Sequence, residues 1–338
     1  MSTAPTSSAS LWRRALLGLT LPLILALAAC GGGAGTDAGG DFGVKIKHKY
    51  GTTTIDKKPS KVVALGLNDA DTLLALGIQP VGVVDWFGER PYGAWPWAKE
   101  LWKGKKPKIV GERDDYNMEK IAKLAPDLIV AQYSGMTKDQ YKTLSKWAPV
   151  VAQPLGHEDY AAPWQAMAEP IAKAVGEEKK LDKLIDGIED DFAAVREEHP
   201  EFGKLTAAVS EGYEKGKYVA FAADDPKMEF MTLLGFKPDD KIESEIEKGN
   251  NVVEFGSERL DLVDVDLLVW LTADEAAAKN VKNDKVYSEL DVVKDGRDLF
   301  VPYEEGPKIG AAMSFNTVLS IPYAIEELVP QLEKKAKA

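Results

Sequence analysis

The 338-residue chain reads as an α/β protein with two lobes of parallel sheet joined by one long α-helix. Three observations carry that reading. Short apolar, β-branched runs recur along most of the chain, each close to a helical pattern, and such alternation builds parallel sheets covered on both faces. Residues 162–200 interrupt the alternation with a purely helical period. The roughly 300 residues that follow the amino-terminal segment exceed what one core usually covers.

The elements follow in order. VKIKHKYGTTTI (44–55) alternates polar and apolar residues as strands do. KKPSKVVAL (57–65) brings the first β-branched run, and helical NDADTLLALGI (68–78) follows it. The cycle repeats in PVGVVDW (80–86), NMEKIAKLAPDLIVAQY (117–133) and TKDQYKTLSKWAPVVAQ (137–153). Leu181, Leu184, Ile188, Phe192 and Val195 then keep a helical spacing that predicts one helix over Glu177–His199. Beyond it the cycle resumes with LTAAVSEGY, KYVAFAAD, KMEFMTLLGF, DLVDVDLLVWLTAD and RDLFVPY, and ends in one predicted helix, MSFNTVLSIPYAIEELVPQLEKK. The lobes are therefore expected at 43–176 and 200–338, with the linking helix at 177–199.

The amino terminus has a different character. Arg13 and Arg14 precede the apolar run ALLGLTLPLILALAA, which Pro22 interrupts and small residues end, the pattern of a cleaved export signal over residues 1–29. The chain has a single cysteine, Cys30, directly after that run. Leu27-Ala28-Ala29-Cys30 resembles the lipobox of bacterial lipoproteins. The resemblance implies that Cys30 carries a lipid and anchors the protein to the outer face of the cell membrane. GGGAGTDAGGDFG then has the composition of a flexible tether, placed at residues 30–42 together with the cysteine. With no second cysteine to pair, the remaining chain relies on its core for stability.

The formal charge is −12, and removing Arg13 and Arg14 with the signal takes it to −14. That balance argues against nucleic acid as a partner. It also disfavours a strongly anionic ligand unless local basic residues offset the field.

Ligands of open α/β sheets bind beyond the carboxyl ends of the strands, and those ends are aromatic here. VVDWFGERPYGAWPW brings Trp86, Arg90, Tyr92, Trp95 and Trp97 after one strand, and LIVAQYSG brings Tyr133 after another. In the second half Phe221, Trp270, Tyr303 and Lys308 follow strands, and Arg113 lies in VGERDDYNM of the first. Trp and Tyr offer wide rigid contact and Arg hydrogen-bonds chelate oxygens, which suits a bulky metal complex. Core packing is the competing reading for Trp95, Trp97 and Trp270, and surface charge for Arg90 and Arg113. His48, His157 and His199 fall in unrelated contexts and are read as solvated, so direct metal ligation is not expected. Ala208-Val-Ser-Glu-Gly212 looks like a nucleophile elbow, but the last histidine, His199, precedes Ser210, and no GxGxxG or GxxxxGK[ST] is present. No enzyme is predicted, although a cell-surface enzyme or adhesin on the same scaffold is the distant alternative.

Four stretches together, KKPSKVVALGLNDADTLLALGIQPVGVV, VGERDDYNMEKIAKLAPDLIV, SERLDLVDVDLLVW and LSIPYAIEELVPQL, resemble the class III substrate-binding proteins of ABC importers, which handle ferric siderophores and cobalamin. The resemblance implies two Rossmann-like lobes on a single stiff helix, a ligand cleft between them and limited closure. It further implies capture of a ferric siderophore, hydroxamates slightly favoured, with ferric citrate, haem and cobalamin as alternatives. Iron would enter only as the chelate, with no cofactor of the protein's own, and the protein would act as a monomer. Delivery to an ABC permease would use one acidic residue per lobe. The matching positions are Glu119, after the N-cap candidate Asn117, and Glu258, after the N-cap candidate Ser257. Complementing helix dipoles is the plain alternative role for both.

Overall fold

The computed structural model describes residues 42–85, 95–303 and 306–337. It opens with an antiparallel hairpin of β1 (Val44–His48) and β2 (Gly51–Ile55). The first lobe then runs β3 (Val62–Ala64), α1 (Asp69–Ala75), β4 (Gly82–Asp85), β5 (Lys108–Glu112), β6 (Asp115–Tyr116), α2 (Met118–Leu124), β7 (Leu128–Val130), α3 (Lys138–Leu144) and β8 (Val150–Val151). Its sheet has the order β6-β5-β4-β3-β7-β8. All neighbours are parallel except β6, which turns back along β5. Val62, Val63, Ala64, Leu128, Ile129 and Val130 are all fully buried, as expected for central strands covered on both faces.

α4 (Trp164–Val175) leads into α5 (Glu178–Glu198), the long helix that the apolar spacing predicts, one residue shorter at each end. Between them Gly176 takes a left-handed conformation, φ 66°, and the ring of Phe42 would lie 2.7 Å from any Cβ there. Glycine therefore both ends α4 and admits the contact. Leu181, Ile188, Phe192 and Val195 form the buried stripe of α5.

The second lobe comprises β9 (Thr206–Glu214), β10 (Lys217–Phe221), α6 (Pro226–Leu233), β11 (Lys237–Pro238), α7 (Asp240–Glu245), β12 (Val252–Gly256), β13 (Leu267–Thr272), α8 (Glu275–Lys282), α9 (Asp291–Lys294), β14 (Asp298–Pro302), α10 (Ile309–Phe315) and α11 (Ser320–Ala336). The sheet order is β12-β10-β9-β13-β14, with β11 beside the start of β9. Here the all-parallel expectation needs a correction. β9, β13 and β14 are parallel, but β9-β10-β12 is antiparallel, because a tight turn after Glu214 leaves no room for a crossover helix. The closing helix is also two. Asn316 adopts φ 42°, its Nδ2 donates to Pro226 O at 2.5 Å, and Thr317 and Ser320 exchange side-chain bonds that start α11.

One hydrophobic cluster runs through both lobes, joining Val62, Leu128 and Ile171 to Phe192, Val209, Val269 and Leu328. Separate clusters fill the other face of each sheet. Polar links add to the lobe contact: Asn68 Nδ2 donates to Phe315 O at 2.8 Å and Thr317 Oγ1 to Asp71 Oδ2 at 2.8 Å. The Trp97 indole donates to the same Asp71 oxygen at 2.7 Å. Among the described residues no helix is long and apolar enough to cross a membrane.

Candidate ligand-binding site

The first wall of the site begins at the end of β7. The chain leaves the sheet at Val130, and the carboxylate of Asp69, at the start of α1, accepts the amides of Gln132 at 2.8 Å and Tyr133 at 3.2 Å. That carboxylate packs on Gly66, where a Cβ would come within 2.2 Å of it. Burial pushes the Asp69 carboxyl up to about 6, against the opposing pull of its amide donors. The Tyr133 ring, held this way, meets Tyr160 edge-on at 5.2 Å. Tyr160 in turn hydrogen-bonds Asp114, which also accepts the Gly135 amide at 2.9 Å. Arg113 precedes Asp114 at φ 49°, an uncommon backbone for a side chain, and its amide donates to Asp85 O at 2.8 Å.

The opposite wall comes from the second lobe. Phe221 ends β10, and Asp225 caps α6 by accepting the Lys227 amide at 3.0 Å. Asp225 also binds Lys227 Nζ at 3.1 Å and Asn251 Nδ2 at 2.8 Å. Lys227 Nζ lies 4.1 Å over the Phe221 ring. Tyr303, just past β14, donates its hydroxyl to Glu211 Oε2 at 3.1 Å, and Ser314 Oγ sits 3.3 Å from the same hydroxyl. Burial raises the Glu211 carboxyl above its ordinary range and keeps the Tyr303 hydroxyl protonated well past neutral pH.

Between these walls lies a cavity of about 460 Å³, lined by both lobes. Among the described residues four aromatic rings face it, those of Tyr133, Tyr160, Phe221 and Tyr303, and the charged lining residues are Arg113, Lys227, Glu211 and Asp225, two of each sign. Such a space can enclose a small molecule on apolar faces while fixed polar groups orient it.

Of the residues predicted from the sequence, the cavity unites Arg113, Tyr133, Phe221 and Tyr303. Trp270 is elsewhere: fully buried on central β13, it packs among Tyr218, Tyr287 and Phe300, so core packing is its role. Lys308 starts α10 and is not among the lining residues; its amide donates to the Tyr323 hydroxyl at 3.3 Å. Trp95 and Trp97 stack at 5.3 Å and pack with Phe315 instead of lining the cavity. Trp86, Arg90, Tyr92 and Cys30 lie outside the described residues.

Glu119 and Glu258 are both exposed, one on each lobe. Asn117 caps α2 as predicted, its side chain accepting the Lys120 amide at 2.9 Å. Ser257 does not cap; its hydroxyl donates to Asp284 at 2.5 Å. Ser210 is buried within β9 and donates to Val219 O at 2.6 Å, so the elbow-like motif is hairpin strand and not a strand-turn-helix corner. The solvated reading of the histidines fails for His199, whose half-buried ring stacks on Phe202 at 4.8 Å, and more fully for His48. Alternation in β1 turns it inward, and Thr53 across the hairpin bonds its Nε2 at 2.9 Å.

The sequence reading missed Tyr160, Glu211, Asp225, Lys227 and Asn251. Only Asp225-Pro226 carried a signal, since an Asp N-cap before a Pro at the first helical position marks a helix start facing a strand end.

A family model described as periplasmic binding protein matches residues 62–300, which contain nearly all of both walls. The chain belongs to this family. The binding protein is similar to a periplasmic solute binding protein from Mycobacterium smegmatis, with a TM-score of 0.77 and 30% identity, covering 88% of this chain and 100% of that one. It is also similar to PiaA of Streptococcus pneumoniae in complex with ferrichrome, with a TM-score of 0.73 and 27% identity over 87% of this chain and 99% of that one. YhfQ of Bacillus subtilis, named as an ABC transporter substrate-binding lipoprotein, is 36% identical over 192 residues, which is 55% of this chain and 56% of YhfQ. The binding protein thus spans about half of that relative. Both YhfQ and PiaA are named as ABC transporter substrate-binding proteins.

Proposed function

We propose that the protein is an extracytoplasmic lipoprotein that captures a ferric hydroxamate siderophore and delivers it to an ABC permease. The cavity's balance of charge carries the reading. Among the described residues its lining sets Arg113 and Lys227 against Glu211 and Asp225, a balance of charge that does not favour a strongly anionic catecholate complex. A ferric hydroxamate is neutral or nearly so, and four aromatic rings give it broad contact. The ferrichrome bound by PiaA belongs to that chemical class and supports the choice. Iron arrives wrapped in its chelator, as cargo, and the protein needs no cofactor of its own.

The lipid on Cys30 would hold the protein at the outer face of the cell membrane, and Glu119 and Glu258 would meet basic residues of the permease. Two exposed charges on separate lobes would set orientation and encounter rate more than affinity. A monomer suffices for this cycle.

Titration of tryptophan fluorescence on the chain from Asp41 onward tests the reading, with ferric hydroxamate, ferric catecholate, ferric citrate, haem and cobalamin each beside its iron-free or apo form. Saturable quenching below micromolar concentration by ferric hydroxamate alone is expected. Selective response to another chelate would replace the substrate class, and no response to any would remove the importer reading.

A further inference from the structure

We propose that Glu211 is a specificity-determining residue that selects chelates bearing a cationic group against the second-lobe wall. The inference rests on the hydroxamate reading and narrows it to a class of hydroxamate.

Charge at that wall is unevenly satisfied. Lys227, whose field reaches Glu211, is bonded elsewhere: its Nζ lies 3.1 Å from Asp225 Oδ1 and 4.1 Å over the Phe221 ring. The other Asp225 oxygen is occupied by Asn251 Nδ2 at 2.8 Å. The Asp225-Lys227 pair is therefore closed on itself, with Asn251 as its third member. Glu211 stands outside it. Among the described residues the hydrogen bond to its carboxylate comes from the neutral hydroxyl of Tyr303, at 3.1 Å on Oε2.

A partly buried carboxylate at the cavity wall, held by a neutral donor, is incompletely compensated for its loss of water. A ligand cation placed against it would supply the missing partner through a charge-assisted hydrogen bond. An uncharged ligand of the same size would bury the carboxylate further and give nothing back. The rings of Tyr133, Tyr160 and Phe221 do not distinguish the two ligands, since both present the same chelate body. Discrimination then falls to Glu211.

The matched probes are ferrioxamine B, an open-chain ferric trihydroxamate with one terminal ammonium, and ferrioxamine E, its ring-closed counterpart without that group. Fluorescence titration of the whole soluble chain is expected to show ferrioxamine B bound on the order of tenfold more tightly than ferrioxamine E. In Glu211→Gln, which keeps an acceptor for Tyr303, the preference should fall about tenfold and so vanish, through weaker ferrioxamine B, tighter ferrioxamine E or both. Retained binding of ferrioxamine E also shows that the variant is folded. Equal binding of the two by the unmodified protein, or a preference that survives Glu211→Gln, overturns the inference and leaves the hydroxamate reading standing. Binding of neither overturns that reading and the inference with it.

Discussion

The two walls of the cavity are built in different ways. On the first lobe, Tyr133 and Tyr160 are set by buried or half-buried carboxylates behind them, Asp69 beneath one and Asp114 bonded to the other. On the second lobe the carboxylates are at the surface of the cavity itself, with Glu211 and Asp225 both lining it. The same residue type serves as scaffold on one side and as contact on the other. The difference teaches that the carboxylates support the rings from behind on the first wall and face the cavity on the second, so substitutions of acidic residues on the two sides should fail differently.

The sharpest way to break that division is Asp69→Ala. It removes the acceptor of the buried Gln132 and Tyr133 amides, and thermal or denaturant unfolding should show a loss of about 3 kcal/mol. Ligand affinity should fall as well, because the Tyr133 ring loses its support. Loss of affinity at unchanged stability would mean that Asp69 is a contact and not scaffold.

Asp71 extends the comparison to the lobe junction. Burial pushes its carboxyl up to about 6, above its ordinary value of 3.8, so between pH 4 and 6 the folded state holds a proton that the unfolded state has released. Folding stability from this group is therefore greatest below about pH 4 and falls as pH rises to about 6. The stability difference between the unmodified protein and Asp71→Asn should change by on the order of 2 kcal/mol from pH 4 to 7, in favour of the variant at the higher pH. A difference independent of pH would contradict the burial account.

Smaller effects separate contact from scaffold on the second wall. Phe221→Leu should weaken ferric hydroxamate binding several-fold by removing the aromatic face under Lys227, while keeping apolar volume in the core that Phe221 belongs to. Least visible in binding is the double reversal Glu119→Lys, Glu258→Lys, which should leave affinity unchanged and abolish uptake by cells. Normal uptake would remove the docking role.

Much of this architecture was legible in the sequence. The periodic stretch from Leu181 to Val195 stated α5 almost to the residue, since a stripe buried against two lobes must keep helical spacing. The antiparallel half of the second sheet was not legible, because a buried strand such as KYVAF is apolar in either direction and only the turn before it decides. Among site residues, Tyr133 and Phe221 were readable as aromatics at strand ends. Trp270 looked the same and is core, as burial on both faces of β13 erases the difference between inward and cavity-facing positions. Glu211 hid inside a motif that drew attention to Ser210, and Tyr160 in a loop without period. Their assembly depends on contacts between lobes that no local pattern encodes.

The central claim is that this cavity between the lobes holds a ferric hydroxamate. An anomalous difference map at the iron edge, from crystals grown with ferrichrome, tests it most directly. The account predicts a single strong peak between Tyr133 on one wall and Phe221 and Tyr303 on the other; an iron peak away from those residues, or none while binding in solution is saturated, would contradict it.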